Sequence, residues 1–257
     1  MSVLCLDVGN SVTGLGLFTG DELVAHWRVS SATGRTADEW GLLVRGLLAD
    51  AGPLEPLTGL CVSSAVPAVL HELRAMLAGY YPAARHLLVG AGVRTGLPVL
   101  VDNPREVGTD RIANAVAAAD RFGGPVVVVG LGTATTIDVV DAAGRFVGGV
   151  IAAGVESSLA ALGARGAQLR QVELMRPRSV IAKNTIEALQ SGAVYGFAGQ
   201  VDGIVRRIAA ELGSPPALEV VATGVHAPDL VDECATVTRH EPHLTLHGLQ
   251  IIYERNR

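Results

Sequence analysis

Cysteine is scarce, with Cys5, Cys61 and Cys234 the only three in 257 residues, and they lie far apart without a CxxC or Cys/His metal spacing. That spacing excludes a disulfide framework and a thiolate metal centre. Cys5 and Cys61 fall in apolar, strand-like runs, where a thiol behaves as a small hydrophobe. Aromatic residues make up only 4% of the chain, and no cluster of basic residues interleaved with aromatics occurs. With a net charge of −5, this argues against a nucleic-acid partner, so any phosphate-binding site must be local. The amino terminus lacks a basic region followed by an apolar cleavage segment, and no apolar run is long enough to span a bilayer. The expectation is a cytoplasmic protein with no membrane partner.

What is abundant is apolar sequence punctuated by glycine. A hydrophobic fraction of 49% against 18% charged residues describes a folded protein rather than a disordered one, long enough for one large or two small domains. Val126-Val127-Val128-Val129 reads as a strand buried on both faces, broken by Gly130-Leu131-Gly132-Thr133-Ala134-Thr135-Thr136. Ile137 and Val139 precede the turn Asp141-Ala142-Ala143-Gly144, and Phe146-Val147 follow it, so a hairpin ending near Gly148-Gly149 is expected. The first residues echo this pattern. Asp7-Val8-Gly9-Asn10-Ser11 lies over Gly130-Leu131-Gly132-Thr133-Ala134, each between apolar strands, as expected of two similar domains. Main-chain N–H groups and hydroxyls at such turns suit phosphate oxygens, and a triphosphate could lie between the two halves. Two ordinary hairpins with glycine at their turns is the plainer alternative.

The remaining chain alternates strand and helix. Glu22–Val29 reads as a strand; Thr36 and Glu39 form a capping box for a helix to Leu48. Leu60–Pro67 is a strand running into a Ser/Pro turn, where Ser63-Ser64 either faces a ligand or caps the turn. Val69–Tyr80 is a helix, and His86–Val89 and Val99–Val101 are short strands. Asp102-Asn103-Pro104 is a turn, and a helix from Thr109 or Asp110 to about Phe122 follows. Asp110 and Arg111, side by side after Gly108, suit an acceptor: a carboxylate can take a hydroxyl proton while a guanidinium holds an anion. An N-capping aspartate beside a surface arginine is the alternative. Helices are further expected over Ser157–Leu169, from Thr185 to Tyr195 continuing to Leu212, and from Leu230, with a strand over Leu218–Gly224 and a carboxyl-terminal segment, Leu244–Glu254, apolar enough to dock.

Taken together, Asp7-Val8-Gly9-Asn10-Ser11, Asp102-Asn103-Pro104, Gly108-Thr109-Asp110-Arg111, Gly132-Thr133-Ala134-Thr135-Thr136 and Lys183-Asn184-Thr185 resemble, in order and over essentially the whole chain, the type III pantothenate kinases. The resemblance implies an α/β, two-domain fold of the actin, sugar-kinase and heat-shock-ATPase (ribonuclease H-like) superfamily with mixed sheets flanked by helices. Domains over 1–115 and 116–257, in a homodimer, are expected. It implies ATP-dependent phosphorylation of pantothenate, the first step towards coenzyme A. By matching position, Asp7, Val8, Gly9, Asn10, Ser11, Val12, Thr13 and Gly14 form the first phosphate loop, with Asp7 helping to hold Mg²⁺, and Thr133 touches the nucleotide. Gly108, Thr109, Asp110 and Arg111 contact pantothenate, Asp110 as general base, and Thr185 reaches pantothenate from the neighbouring chain.

One departure matters. At Gly130 the family carries an aspartate that helps bind an activating monovalent cation, K⁺ or NH4⁺, and glycine offers no side-chain oxygen. Ala182, where a glycine is usual, and Val225 after Gly224 are smaller departures. Gly130 leaves open a catalytically weak homologue that binds nucleotide or pantothenate in a regulatory role. A different small-molecule kinase on the same fold is a further alternative.

Overall fold

In the computed structural model, which describes residues 2–52, 56–64, 66–165 and 172–257, the first strand, β1 (Ser2–Val8), is buried along nearly its whole length. A strand so apolar on both faces must lie inside a sheet. It pairs antiparallel with β2 (Val12–Thr19), which pairs antiparallel with β3 (Glu22–Ser30). On its other edge β1 runs parallel to β4 (Leu57–Ser64), followed by β5 (Arg85–Leu88), for the order β3-β2-β1-β4-β5. The two crossover helices are α1 (Ala37–Asp50) and α2 (Pro67–Tyr80). Their buried Trp40, Val44, Leu73 and Met76 meet Leu4, Leu6, Leu15 and Leu17 of the sheet in one core. The Thr36–Glu39 capping box forms as its residue types require.

The second half repeats this plan. Helix α3 (Thr109–Phe122) leads to a meander of β6 (Val126–Leu131), β7 (Ala134–Val140) and β8 (Phe146–Ala153). Helix α4 (Val155–Arg165) and the 27-residue α5 (Thr185–Glu211) precede β9 (Glu219–Thr223), which runs parallel to β6. After the one-turn helix α6 (Ala227–Leu230), β10 (Arg239–His240) completes the order β8-β7-β6-β9-β10. Strand for strand this is the order of the first sheet, so the repeated Gly-turn pattern marks a repeated fold. Its core joins Val127, Val129 and Ile137 to Val194, Ala198, Val201 and Val205 of α5.

The described residues form two compact units, Met1–Gly96 with Asn103–Ala117 and Leu244–Arg257, and Leu97–Asp102 with Ala118–His243. The boundary falls inside α3, and the last helix, α7 (Leu244–Arg255), packs with the first unit. There Leu244, Leu249 and Ile252 are buried, and Gln250 donates through Nε2 to Gly20 O and Asp21 Oδ1.

Three expectations are corrected. Val99–Val101 is not a strand: only Val99 bridges to Phe146, with Leu100 N–H donating to Phe146 O. Pro98, lacking an N–H, and the turn at 102–104 leave too short a run for a ladder. The helix expected from Ser157 begins earlier, at Val155, and the part expected over 166–169 lies outside the described residues. The expected short helix at Leu230–Glu233 is instead the end of α6 followed by a 3-10 turn, Val231–Glu233.

Candidate active site

The parallel register of β1 and β4 sets Asp7 beside Ser63, while Gly14 faces Asp7 across the antiparallel ladder. A side chain added at Gly14 would meet nothing within 4 Å, so there is open room beside the Asp7 main chain. The protein packed round the Asp7 carboxyl, and then the nearby charge of Asp110, raise its pKa to about 7 against the opposing hydrogen bond from Ser63. Ser63 Oγ lies 2.7 Å from Thr109 Oγ1, so the first residue of α3 is tied to β4.

Why glycine precedes the Thr-Asp-Arg run is visible in the geometry. A Cβ on Gly108 would stand 2.4 Å from Asp110 Oδ1, because the carboxylate folds back over the glycine. Asp110 lies in the first turn of α3, where the helix dipole favours a negative charge. The structure therefore gathers Asp7, Ser63, Gly108, Thr109 and Asp110 in the first unit, with Arg111 next on the same helix.

The turn after β1 is closed by Gly9 N–H donating to Val12 O at 3.2 Å. Asn10 and Ser11 are exposed there, whereas the Val8 side chain is buried in the core. Thr13 is also fully buried, and its hydroxyl pairs with Ser31 Oγ at 2.7 Å. Main chain and the Asn10 and Ser11 side chains are what this turn presents to an anion.

In the second unit, Gly132 N–H donates to Ala134 O and closes the matching turn, leaving Thr133 exposed. Thr133 O accepts from Gly154 N and Ser157 Oγ, which seats the start of α4 on the turn. Beside it a cavity of about 450 Å³ is lined by Val155, Glu156, Leu159 and His226, with His226 Nε2 3.4 Å from Glu156 Oε2. Sequence reading missed His226; its only signal was its place just after the strand β9 and Gly224. In the Lys183-Asn184-Thr185 run, Asn184 caps α5 by accepting from Glu187 N at 2.9 Å, and Thr185 is its exposed first residue. Thr133 and Thr185 thus stand in the second unit, apart in sequence from the Asp7 and Asp110 group.

The sequence profile described as Type III pantothenate kinase matches residues 3–207. The chain belongs to the type III pantothenate kinase family. It is 58% identical over 258 residues to a type III pantothenate kinase of Nocardioides, covering 100% of each chain. Over 254 residues it is 56% identical to that of Acidothermus cellulolyticus, covering 99% of this chain and 98% of the relative. Among solved structures, the activator of 2-hydroxyisocaproyl-CoA dehydratase from Clostridium difficile, with bound ADPNP, has a TM-score of 0.55 at 14% identity, covering 98% of this chain and 94% of its own. An inorganic polyphosphate/ATP-glucomannokinase of Arthrobacter has a TM-score of 0.52 at 14% identity, covering 100% and 99%. These likenesses show the fold, the α/β architecture of actin-like, sugar-kinase and ATPase proteins.

For a type III pantothenate kinase, the two cation expectations fare differently against the side chains present. The charge of Asp110 acts on the Asp7 carboxyl, and such carboxylates suit Mg²⁺, an ion commonly held by one or two carboxylates plus phosphate oxygens. The monovalent-cation position does not fit. A Cβ on Gly130 would stand 2.5 Å from Thr136 Oγ1, its cross-strand partner, so a hydroxyl fills the space in which a carboxylate's stem would begin. Among the described residues no group of three or more His, Cys, Asp or Glu is placed to hold a metal.

Proposed function

We propose that this kinase transfers the γ-phosphoryl group of ATP to the hydroxyl of pantothenate, giving 4'-phosphopantothenate in the first step of coenzyme A synthesis. The observation that carries the reading is the Asp110 carboxylate held over Gly108 at the start of α3, with Asp7 and Thr109 beside it. Identity above 50% along the full chain supports the family's reaction over a feeble regulatory homologue.

In this reading, the acceptor oxygen attacks the γ-phosphorus as the bond to the departing ADP oxygen breaks, and the acceptor proton passes to Asp110. A hydroxyl is a poor nucleophile at neutral pH, so a carboxylate within hydrogen-bond reach contributes about 10²–10⁴ in rate. Gly108, Thr109 and Arg111 orient pantothenate, the guanidinium matching its carboxylate bidentately. The turn after β1 takes phosphate oxygens through its main-chain N–H groups and the exposed Asn10 and Ser11 side chains. Asp7 is the residue that would hold Mg²⁺, whose charge neutralises the phosphate oxygens in such transfers. Thr185 completes the acceptor site of a second copy in a homodimer. Supporting this, Val180, Ile181 and Ile186 around Thr185 are exposed apolar residues, as expected of a face covered by another subunit.

The test is ADP release with Mg-ATP, with and without pantothenate, for the wild type and Asp110→Asn. Pantothenate-dependent turnover that falls at least a hundredfold in Asp110→Asn supports the reading. Absence of pantothenate-dependent turnover in the wild type, or an unimpaired variant, overturns it.

A further inference from the structure

Ser63 has no part in the reaction as described, yet it occupies the middle of the acidic group. It lies on β4 with 1% of its surface exposed, and its hydroxyl has partners on two different elements, the Asp7 carboxyl of β1 and Thr109 Oγ1 of α3, the latter at 2.7 Å. Its neighbour Ser64 has a different task, since Ser64 Oγ accepts from Val66 N at 3.0 Å within the turn that follows β4. The Ser-Ser pair thus divides into a turn residue and a residue facing the site.

A serine hydroxyl carries one proton. The 2.7 Å contact of Ser63 Oγ with Thr109 Oγ1 commits one hydroxyl proton, donated by either oxygen, to the link between β4 and α3. The Thr109 side chain is thereby held against β4. We propose that Ser63 is a positioning residue that holds the Thr109 side chain in place for contact with the acceptor substrate. The same bond ties the start of α3, and with it Asp110, to the central strands. This rests on the functional reading above and adds to its acceptor site a residue outside the Gly108–Arg111 run.

The experiment is a double-mutant cycle on the full-length enzyme with Ser63→Ala, Thr109→Val and the pair, with Ser64→Ala as a control and the melting temperature of each recorded. Expected are a rise of about tenfold in KM for pantothenate in each of the Ser63 and Thr109 variants, the loss of one hydrogen bond in the site. KM for ATP stays within about twofold of the wild type. The paired variant loses no more than the larger single loss, because both substitutions break one chain of bonds. Ser64→Ala leaves KM for pantothenate unchanged. With wild-type turnover present, additive losses, a Ser63→Ala loss equal for both substrates, or no loss overturns the role of Ser63. Absence of wild-type turnover instead overturns the functional reading beneath it.

Discussion

The Asp110 carboxylate depends on a residue that has no side chain. Because a Cβ on Gly108 would stand 2.4 Å from Asp110 Oδ1, Gly108→Ala must swing the carboxylate away, and the backbone there needs no left-handed conformation. The expected outcome is a fall in kcat on the order of a hundredfold with a melting temperature close to wild type, read by steady-state kinetics and calorimetry. A full-rate Gly108→Ala enzyme would show that Asp110 need not occupy that position. At Gly130 the reverse holds, since the space is already filled by Thr136 Oγ1. Gly130→Asp alone is expected to lose stability by about 1–3 kcal/mol through overpacking and to gain no potassium response. Adding Thr136→Ala restores stability and the response of ADP release to K⁺ over Na⁺; a potassium gain in the single variant would contradict this. The need for glycine at 108 was not readable from the motif, which supplies the Gly-Thr-Asp-Arg order but not the direction in which the aspartate folds.

Elements hold together here through polar contacts as well as apolar ones. Asp202 of α5 is 7% exposed and accepts hydrogen bonds from Ala235 N, Thr236 N and Thr236 Oγ1, so a long helix is fastened to the chain leading into β10. Burial pushes its pKa up, but the bonds from Thr236 and Ala235 and the nearby Arg206 outweigh burial and leave it below the ordinary carboxylate value. A depressed folded pKa contributes stability that is present above the unfolded value of about 3.9 and is lost as pH falls through the folded one. Asp202→Ala is therefore expected to cost on the order of 2–4 kcal/mol at pH 7, from lost bonds and unpaired N–H groups, with the gap to wild type narrowing below about pH 4. Urea unfolding across pH measures this, and a gap that does not change with pH would rule out the charged hydrogen bonds as its cause. Most elements were legible: the capping box at Thr36 and Glu39, the Val126–Val129 strand and the helical period of α5 are patterns contained within a few turns of chain. Strand β10 was not, because two residues carry no period and exist only by pairing with β9.

Each unit has its own core, and the chain visits the first unit at both its ends. Helix α7 supplies that return, burying Leu244, Leu246, Leu249, Ile252 and Tyr253, while Asn256 Nδ2 bonds Arg94 O. Removing residues 244–257 would expose the apolar surface these side chains cover. The expected outcome is loss of cooperative melting of the first unit with β6–β9 retained, followed by hydrogen exchange along both sheets. Protection that persists in β1, β2 and β4 of the truncated chain would show that α7 is dispensable for that unit. The apolar composition of Leu244–Glu254 announced a docking segment but not which unit receives it.

Local order in the chain set the hairpins, the caps and the repeated glycine turns, because each is decided by steric and hydrogen-bonding preferences among residues a few positions apart. The resemblance likewise needed only motif order. Folding alone decided that Ser63 meets Thr109 across 46 residues, that Thr136 fills the space beside Gly130, and that Thr13 turns inward to Ser31. Those contacts depend on strand register and on how each crossover closes, so their partners are selected by packing between distant segments rather than by any run of neighbouring residues.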